Sequence, residues 1–257
     1  MNSLPHDPTS ATATVSFSLK GGDFEMEARV TVPAGPARVS DLLPLARGLS
    51  DRVVEETTKA VEQQGRRISC CKGCGACCSN LVAISEVEAR RIAEVVSEMP
   101  EARQSEIRAR FAAARARLVE AGLMELLQAS ADWTDAEYGK LVGDYFRLRV
   151  ACPFLEEGAC SIYGERPVTC REFLVVSPPE YCAMDDSREV IRVRMLLPVF
   201  QALAQWQDAP AKHFLERVVP LILALEWSEA HPEPDPVRSG PELLEEFVRL
   251  LSVEQKS

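Results

Sequence analysis

The run Cys71-Lys-Gly-Cys74-Gly-Ala-Cys77-Cys78 constrains this chain more than any other feature. It sets three thiols at three-residue intervals and a fourth immediately after, so one looping segment can turn several sulfurs toward a single centre. Gly73 and Gly75 lie between them and permit backbone angles that bring amide N–H groups close to sulfur. Such amides hydrogen-bond to anionic thiolates and reduce the charge the fold must tolerate. Nine cysteines in 257 residues are many. The odd count, the two adjacent pairs and the lack of a signal-peptide pattern argue against a disulfide framework. Adjacent cysteines do not readily bridge each other, whereas clustered thiols in a reducing compartment need a metal or a redox task. Metal binding is the expectation; thiol redox chemistry and an inert cysteine-rich core are the lesser alternatives.

A second set follows about 75 residues later, as Cys152, Cys160, Cys170 and Cys182. Its wide, unequal gaps exclude a simple zinc ribbon or finger. Four near ligands and four distant ones suit either two tetrahedral sites or one cluster with mixed contributions and spare thiols. Neighbouring side chains diverge, which lets Cys77 and Cys78 serve different centres. Cys70 is the surplus cysteine, better read as a small buried residue than as a ligand. Thiolate is a soft ligand, so zinc, copper(I) and iron–sulfur centres outrank calcium or magnesium. The three-cysteine run followed by Cys152-Pro153 is similar to ferredoxin ligation, although the adjacent fourth cysteine breaks the ferredoxin spacing.

The bulk composition asks for nothing unusual: 46% apolar and 26% charged residues are those of a soluble globular protein. The 39 acidic residues exceed the 29 basic ones by ten, which argues against nonspecific affinity for nucleic acid or an anionic membrane. No lysine or arginine precedes Lys20, and serines interrupt the apolar residues from Val15, so a signal peptide is not expected. The apolar stretches at 195–200 and 218–225 are too short to span a membrane. A cytoplasmic location is the expectation.

Apolar and polar residues alternate through 14–32, with Lys20-Gly21-Gly22-Asp23 as the turn, and predict a β-hairpin. A lone hairpin is marginal, so its apolar face must cover a helix, pair with a further strand such as 173–176, or make a dimer contact. Leu42, Leu45, Leu49, Val53, Thr57 and Val61 then fall at helical spacing, with Gly65 as the terminating glycine. Ser85-Glu86-Val87-Glu88 and Thr134-Asp135-Ala136-Glu137 are capping boxes that open two more helices. Between these, residues 101–121 form an arginine- and alanine-rich helix whose arginines read as a solvated face rather than a partner-binding patch. Residues 152–182 are loop-like and poorly self-sufficient, a deficit that metal binding would offset. Beyond Ser187 a helix is expected with Ile191, Met195, Val199, Leu203 and Trp206 on one face. Asp208 and Pro210 suit the start of another, and Pro220 is expected to kink it. A proline-rich linker from His231 precedes a final helix carrying Leu243, Leu244, Phe247 and Leu251.

The expected fold class is mostly α with an N-terminal β-hairpin and cysteine-rich metal-binding loops between helices, with α+β as the alternative. The expected divisions are 1–65 for the hairpin and first helix, 66–186 for the cysteine-cluster domain, and 187–257 for a C-terminal helical region.

The segment Cys152-Pro-Phe-Leu-Glu-Glu-Gly-Ala-Cys160-Ser-Ile-Tyr-Gly-Glu-Arg-Pro-Val-Thr-Cys170-Arg-Glu-Phe173, taken with Cys71–Cys78, resembles the YkgJ-type cysteine-cluster family of zinc- or iron-chelating domains. A flagellin N-methylase is a related member. The resemblance covers roughly residues 70–182. It implies metal chelation by Cys71, Cys74, Cys77, Cys78, Cys152, Cys160, Cys170 and Cys182, with Cys70 outside the motif, and it leaves the metal open. For the methylase relative an iron–sulfur centre and methyl transfer to protein lysine would be implied, yet this chain has no glycine-rich nucleotide loop after a strand.

Arg166 and Arg171 sit among the candidate ligands, either to offset thiolate charge or bind an anionic partner, or simply to pair with Glu165 and Glu172. Tyr163 and Phe173 are better read as packing than as chemistry. His6, His213 and His231 have no ligand spacing, and no serine–histidine–acid arrangement can be built. The leading expectation is an iron–sulfur protein for electron transfer or a protein-modification reaction, with a protein or redox partner. A non-catalytic zinc interaction module and a metal-handling protein are the alternatives. Nucleic acid and membrane are not expected partners.

Overall fold

The computed structural model describes residues 11–21, 24–128, 134–184, 189–206, 217–233 and 236–252. The alternating segment forms β1 (Thr12–Gly21) and β2 (Phe24–Pro33), paired antiparallel with Val15 opposite Val30 and Leu19 opposite Met26. Gly21 faces Phe24, which makes a two-residue connection; its residues, Gly22 and Asp23, lie outside the described residues. Short β3 (Pro36–Ala37) leads into α1 (Val39–Gln63), which runs through Pro44 and Gly48 on its exposed side. Burial of Leu42, Leu43, Ala46, Val53 and Val61 outweighs those two poor helix formers. Gly65, at φ +73°, ends the helix as expected.

β4 (Ala83–Ser85) opens α2 (Glu86–Ser97), and the Ser85–Glu88 capping box is present. The arginine-rich α3 (Glu101–Glu120) buries Ile107, Phe111, Ala114 and Leu118. Four of its five arginines pair with carboxylates, Arg103 and Arg110 with Glu106 and Glu156, Arg108 with Glu229, and Arg115 with Glu226, while Arg117 donates to the Leu148 and Arg149 carbonyls. After α4 (Met124–Gln128), α5 (Asp135–Leu148) starts at the Thr134–Glu137 box and stops where Arg149 turns left-handed, at φ 51°. The second cysteine region has only short elements: β5 (Leu155–Glu156), β6 (Ala159–Cys160) and α6 (Val168–Glu172).

Two expectations fail beyond this point. Residues 191–193 are extended rather than helical: Val176 N–H donates to Ile191 O, Val193 N–H donates to Leu174 O, and Ile191 is 52% exposed. Helix α7 begins only at Val199 and runs to Gln205, because Pro198 holds the residue before it out of helical geometry. Nor does Pro220 kink a helix. It ends β7 (Val218–Pro220), which pairs antiparallel with β4, Ile84 opposite Val219. The Asp208–Pro210 helix start lies outside the described residues. The remaining elements are α8 (Ala224–Ala230), β8 (Arg238–Ser239) and α9 (Gly240–Ser252).

The fold class is mostly helical with an N-terminal hairpin, as expected. The hairpin settles its own placement by covering α9, not by pairing with 173–176. Together with α1 and α7 they enclose one core, where the Trp206 and Phe247 rings stack at 4.3 Å. A second core lies between α2, α3 and α8. Phe154 and Ile162 of the cysteine region insert into it, with Cys152 and Cys160 packed at its edge. Among the described residues, no helix is long and apolar enough to cross a membrane.

Candidate metal centre

The first cysteine segment is a chain of tight turns. Cys74 N–H donates to Cys71 O, Cys78 N–H to Gly75 O, and Asn80 N–H to Cys77 O, each at 3.0–3.1 Å. Its two glycines act by different means. Gly73 takes φ +90°, which only glycine adopts freely. At Gly75 a Cβ would stand 2.5 Å from Gly158 O and 2.6 Å from Leu155 Cδ1. The missing side chain therefore lets the first cysteine segment press onto the β5–β6 turn. Cys152 N–H then donates to Cys78 O at 2.7 Å, and the two cysteine motifs are joined through backbone.

The second segment is fixed from outside. Arg171, 8% exposed, grips both carboxylate oxygens of Asp51 on α1 at 2.7 and 2.8 Å and donates to Gly164 O and Arg166 O. Glu88, fully buried, caps α2 with one carboxylate oxygen and accepts Val168 N–H, at the start of α6, with the other at 2.7 Å. Glu172 accepts the Val199 and Phe200 amides at the start of α7 and the Ser50 hydroxyl. Burial pushes its carboxyl up to about 8. Glu165 takes Arg47 and Arg91. The simple pairings of Arg166 with Glu165 and Arg171 with Glu172 are therefore not made. Arg166 instead stacks 4.1 Å from the Tyr163 ring centroid, with Lys72 at 5.5 Å from the same ring, while Arg192 lies 4.7 Å from the Phe173 centroid. The two aromatic residues are platforms for cations.

These constraints bring the cysteines into one region as free thiols. There Cys77 lies within electrostatic reach of Cys70, Cys78, Cys152, Cys160, Cys170 and Cys182. Around it an inner group, Cys78, Cys152, Cys160 and Cys170, mixes the two sequence motifs. Cys182 belongs to an outer group with Cys70 and Cys74, and Cys71, next to Cys70, is the one exposed cysteine. Cys70 bridges backbone, its sulfur accepting Val175 N–H at 3.4 Å and donating toward Phe173 O at 3.7 Å. As a neutral thiol it is already satisfied on both sides.

The adjacent Cys78 thiol draws the Cys77 thiol down to about 7, aided by the Arg166 charge. Burial pushes the other deep thiols up: Cys152 to about 12, Cys182 to about 11, Cys160 upward and Cys170 well upward. The nearby backbone amides of Phe154 and Ile162 oppose this at Cys152 and Cys160 by favouring the thiolate. A buried cluster in which one thiolate is poised and its neighbours await compensating positive charge suits a cation with high affinity for sulfur. Among the described residues, no three His, Cys, Asp or Glu side chains stand in a ready-made ligand arrangement, so metal binding must draw the thiols together. His231 stacks on Trp227 and takes no part, while His6 and His213 lie outside the described residues.

Much of this surrounding framework is invisible in sequence. The Ser85–Glu88 capping box is readable, but neither the burial of Glu88 nor its bond to α6 is. Asp51 carries no sign of its partner 120 residues away.

Residues 70–188 match the CxxCxxCC family model, described as "Putative zinc- or iron-chelating domain". This is the cysteine-cluster family that the two motifs resemble. No curated protein and no solved structure matches the chain.

Proposed function

From the premise of a zinc- or iron-chelating cysteine domain at residues 70–188, we propose that the chain holds an iron–sulfur centre for electron transfer or in support of a reaction on another protein. One observation carries this reading: the Cys152 N–H bond to Cys78 O, with Gly75 pressed onto Gly158, joins the two cysteine motifs. Cysteines Cys71, Cys74, Cys77, Cys78, Cys152, Cys160, Cys170 and Cys182 are the proposed ligand pool, more thiols than one tetrahedral ion uses. Amides near the Cys152 and Cys160 sulfurs, and Arg166 near Cys77 and Cys160, would spread the negative charge of a sulfur-ligated centre. Such a centre supplies one-electron chemistry; the chain's own residues hold it, shield its deep side with Phe154 and Ile162, and leave Cys71 toward solvent.

The inner group of four thiols also supports a zinc reading, since a closed structural zinc site takes four ligands. Purification without oxygen separates the two. Brown protein with iron and acid-labile sulfide in similar amounts is expected; colourless protein with full zinc occupancy would overturn the iron–sulfur reading.

A further inference from the structure

The arginines of α3 are matched by carboxylates or backbone carbonyls, but the cations around the exposed cysteine are not. No aspartate or glutamate occurs between Gln63 and Ser85, while Arg66, Arg67 and Lys72 fall within that stretch. All three are exposed, and among the described residues none makes an ion pair. They flank Cys71, the one cysteine classed as exposed.

Backbone bonds place a second pair of cations beside them. Ser69 N–H donates to Val175 O at 2.9 Å, and Val175 in turn bridges to Arg192. The segments 66–70, 173–176 and 191–194 thus run side by side, and Arg192 and Arg194 join the same edge as exposed side chains without an ion pair among the described residues. Ile191 contributes an apolar side chain, 52% exposed. A local set of five cations with an apolar contact at its border, on a chain of net charge −10, is a charge distribution that bulk composition does not produce.

We propose that this edge, from Arg66, Arg67 and Lys72 to Ile191, Arg192 and Arg194, is the docking surface for an acidic segment of a partner protein at the open side of the cysteine centre. The surface suits a short acidic segment better than nucleic acid, because a long polyanion extends beyond the few cations onto a negatively charged body. Cation-rich borders around an apolar contact steer a partner and fix its register. A partner seated there would meet the centre where it is least covered by protein, whichever metal it holds.

The test uses the full-length protein as purified, with a fluorescein-labelled decaglutamate peptide as probe, at low ionic strength. Fluorescence anisotropy is expected to show saturable binding that weakens about tenfold or more in Arg66→Glu/Arg67→Glu/Lys72→Glu and is unchanged by Arg29→Glu on the hairpin. Amide hydrogen exchange of the unmutated protein, which needs no variant to fold, is expected to show peptide protection at 66–72 and 191–194. Absence of saturable binding, equal loss in Arg29→Glu, protection elsewhere, or tighter binding of a single-stranded DNA decamer would each overturn the proposal.

Discussion

Two regions of this molecule are held together by different physics. The hairpin, α1, α7 and α9 bury Leu19, Leu42, Trp206, Leu243 and Phe247 against one another, and burial dominates their association, beside a close backbone approach of Gly240 to Pro33. The cysteine region between them contributes few large apolar side chains, chiefly Phe154 and Ile162. It relies on single directed contacts: Arg171 on Asp51, Glu88 on Val168 N–H, and Gly75 against Gly158. Burial tolerates approximate geometry, whereas a directed contact is lost with one atom. The cysteine region should therefore depend on metal and the other region should not.

The largest effect tests the apolar side. Phe247→Ala removes a fully buried ring stacked on Trp206 and is expected to cost about 3–5 kcal/mol in urea unfolding, by the same amount with and without metal. A cost that depends on metal would break the contrast. Next in size is metal itself: at about a hundredfold excess over its dissociation constant it should stabilise the protein by about 2.7 kcal/mol. Cys170→Ser should abolish that increment, and hydrogen exchange should then quicken in 71–78 and 152–182 while α9 stays protected.

Gly75→Ala places a methyl group against Gly158 O and is expected to cost about 1–3 kcal/mol, with weakened metal retention on dialysis as the second readout. Gly73→Ala, which has free space but a positive φ, should weaken metal retention less. Ser85→Ala removes the cap of α2 beside buried Glu88 and is expected to cost about 1 kcal/mol. Coupling of its effect to that of Cys170→Ser in a double-mutant cycle would show that the two regions communicate through Glu88 and α6.

A separate effect is a pH slope. The Glu172 carboxyl is raised to about 8 by burial, so the folded state holds a proton that the unfolded chain releases near its ordinary value of 4.5. Stability is then greatest below 4.5, falls as pH rises toward 8, and levels off above it. Glu172→Gln should flatten the difference between urea midpoints at pH 5.5 and 8.5; an unchanged slope would place its source elsewhere.

Patterns confined to neighbouring residues were legible without the fold. Alternation specified the hairpin, the serine and threonine boxes marked two helix starts, and Leu243, Leu244, Phe247 and Leu251 marked the buried face of α9. The same periodicity misled at 189–198, where Ile191 and Met195 fall at helical spacing. There, hydrogen bonds to 174–176 and the restriction before Pro198 outweighed the local pattern. For the site, the sequence displayed which thiols exist and in which two motifs. It could not display that Cys152 N–H bonds to Cys78 O, or that Gly75 presses onto the β5–β6 turn.

What the sequence by itself determined is therefore the inventory: a hairpin, a set of capped helices, and clustered soft ligands that call for metal. These follow from spacing along one short stretch of backbone. Only the tertiary structure decided how the inventory is used: the two cysteine motifs joined through backbone, Cys70 satisfied by backbone, Arg166 laid over the Tyr163 ring, and an exposed cationic edge at Cys71. Those depend on loop closure over about 75–120 residues, where the partner of each group is chosen by what the packed helices leave within reach.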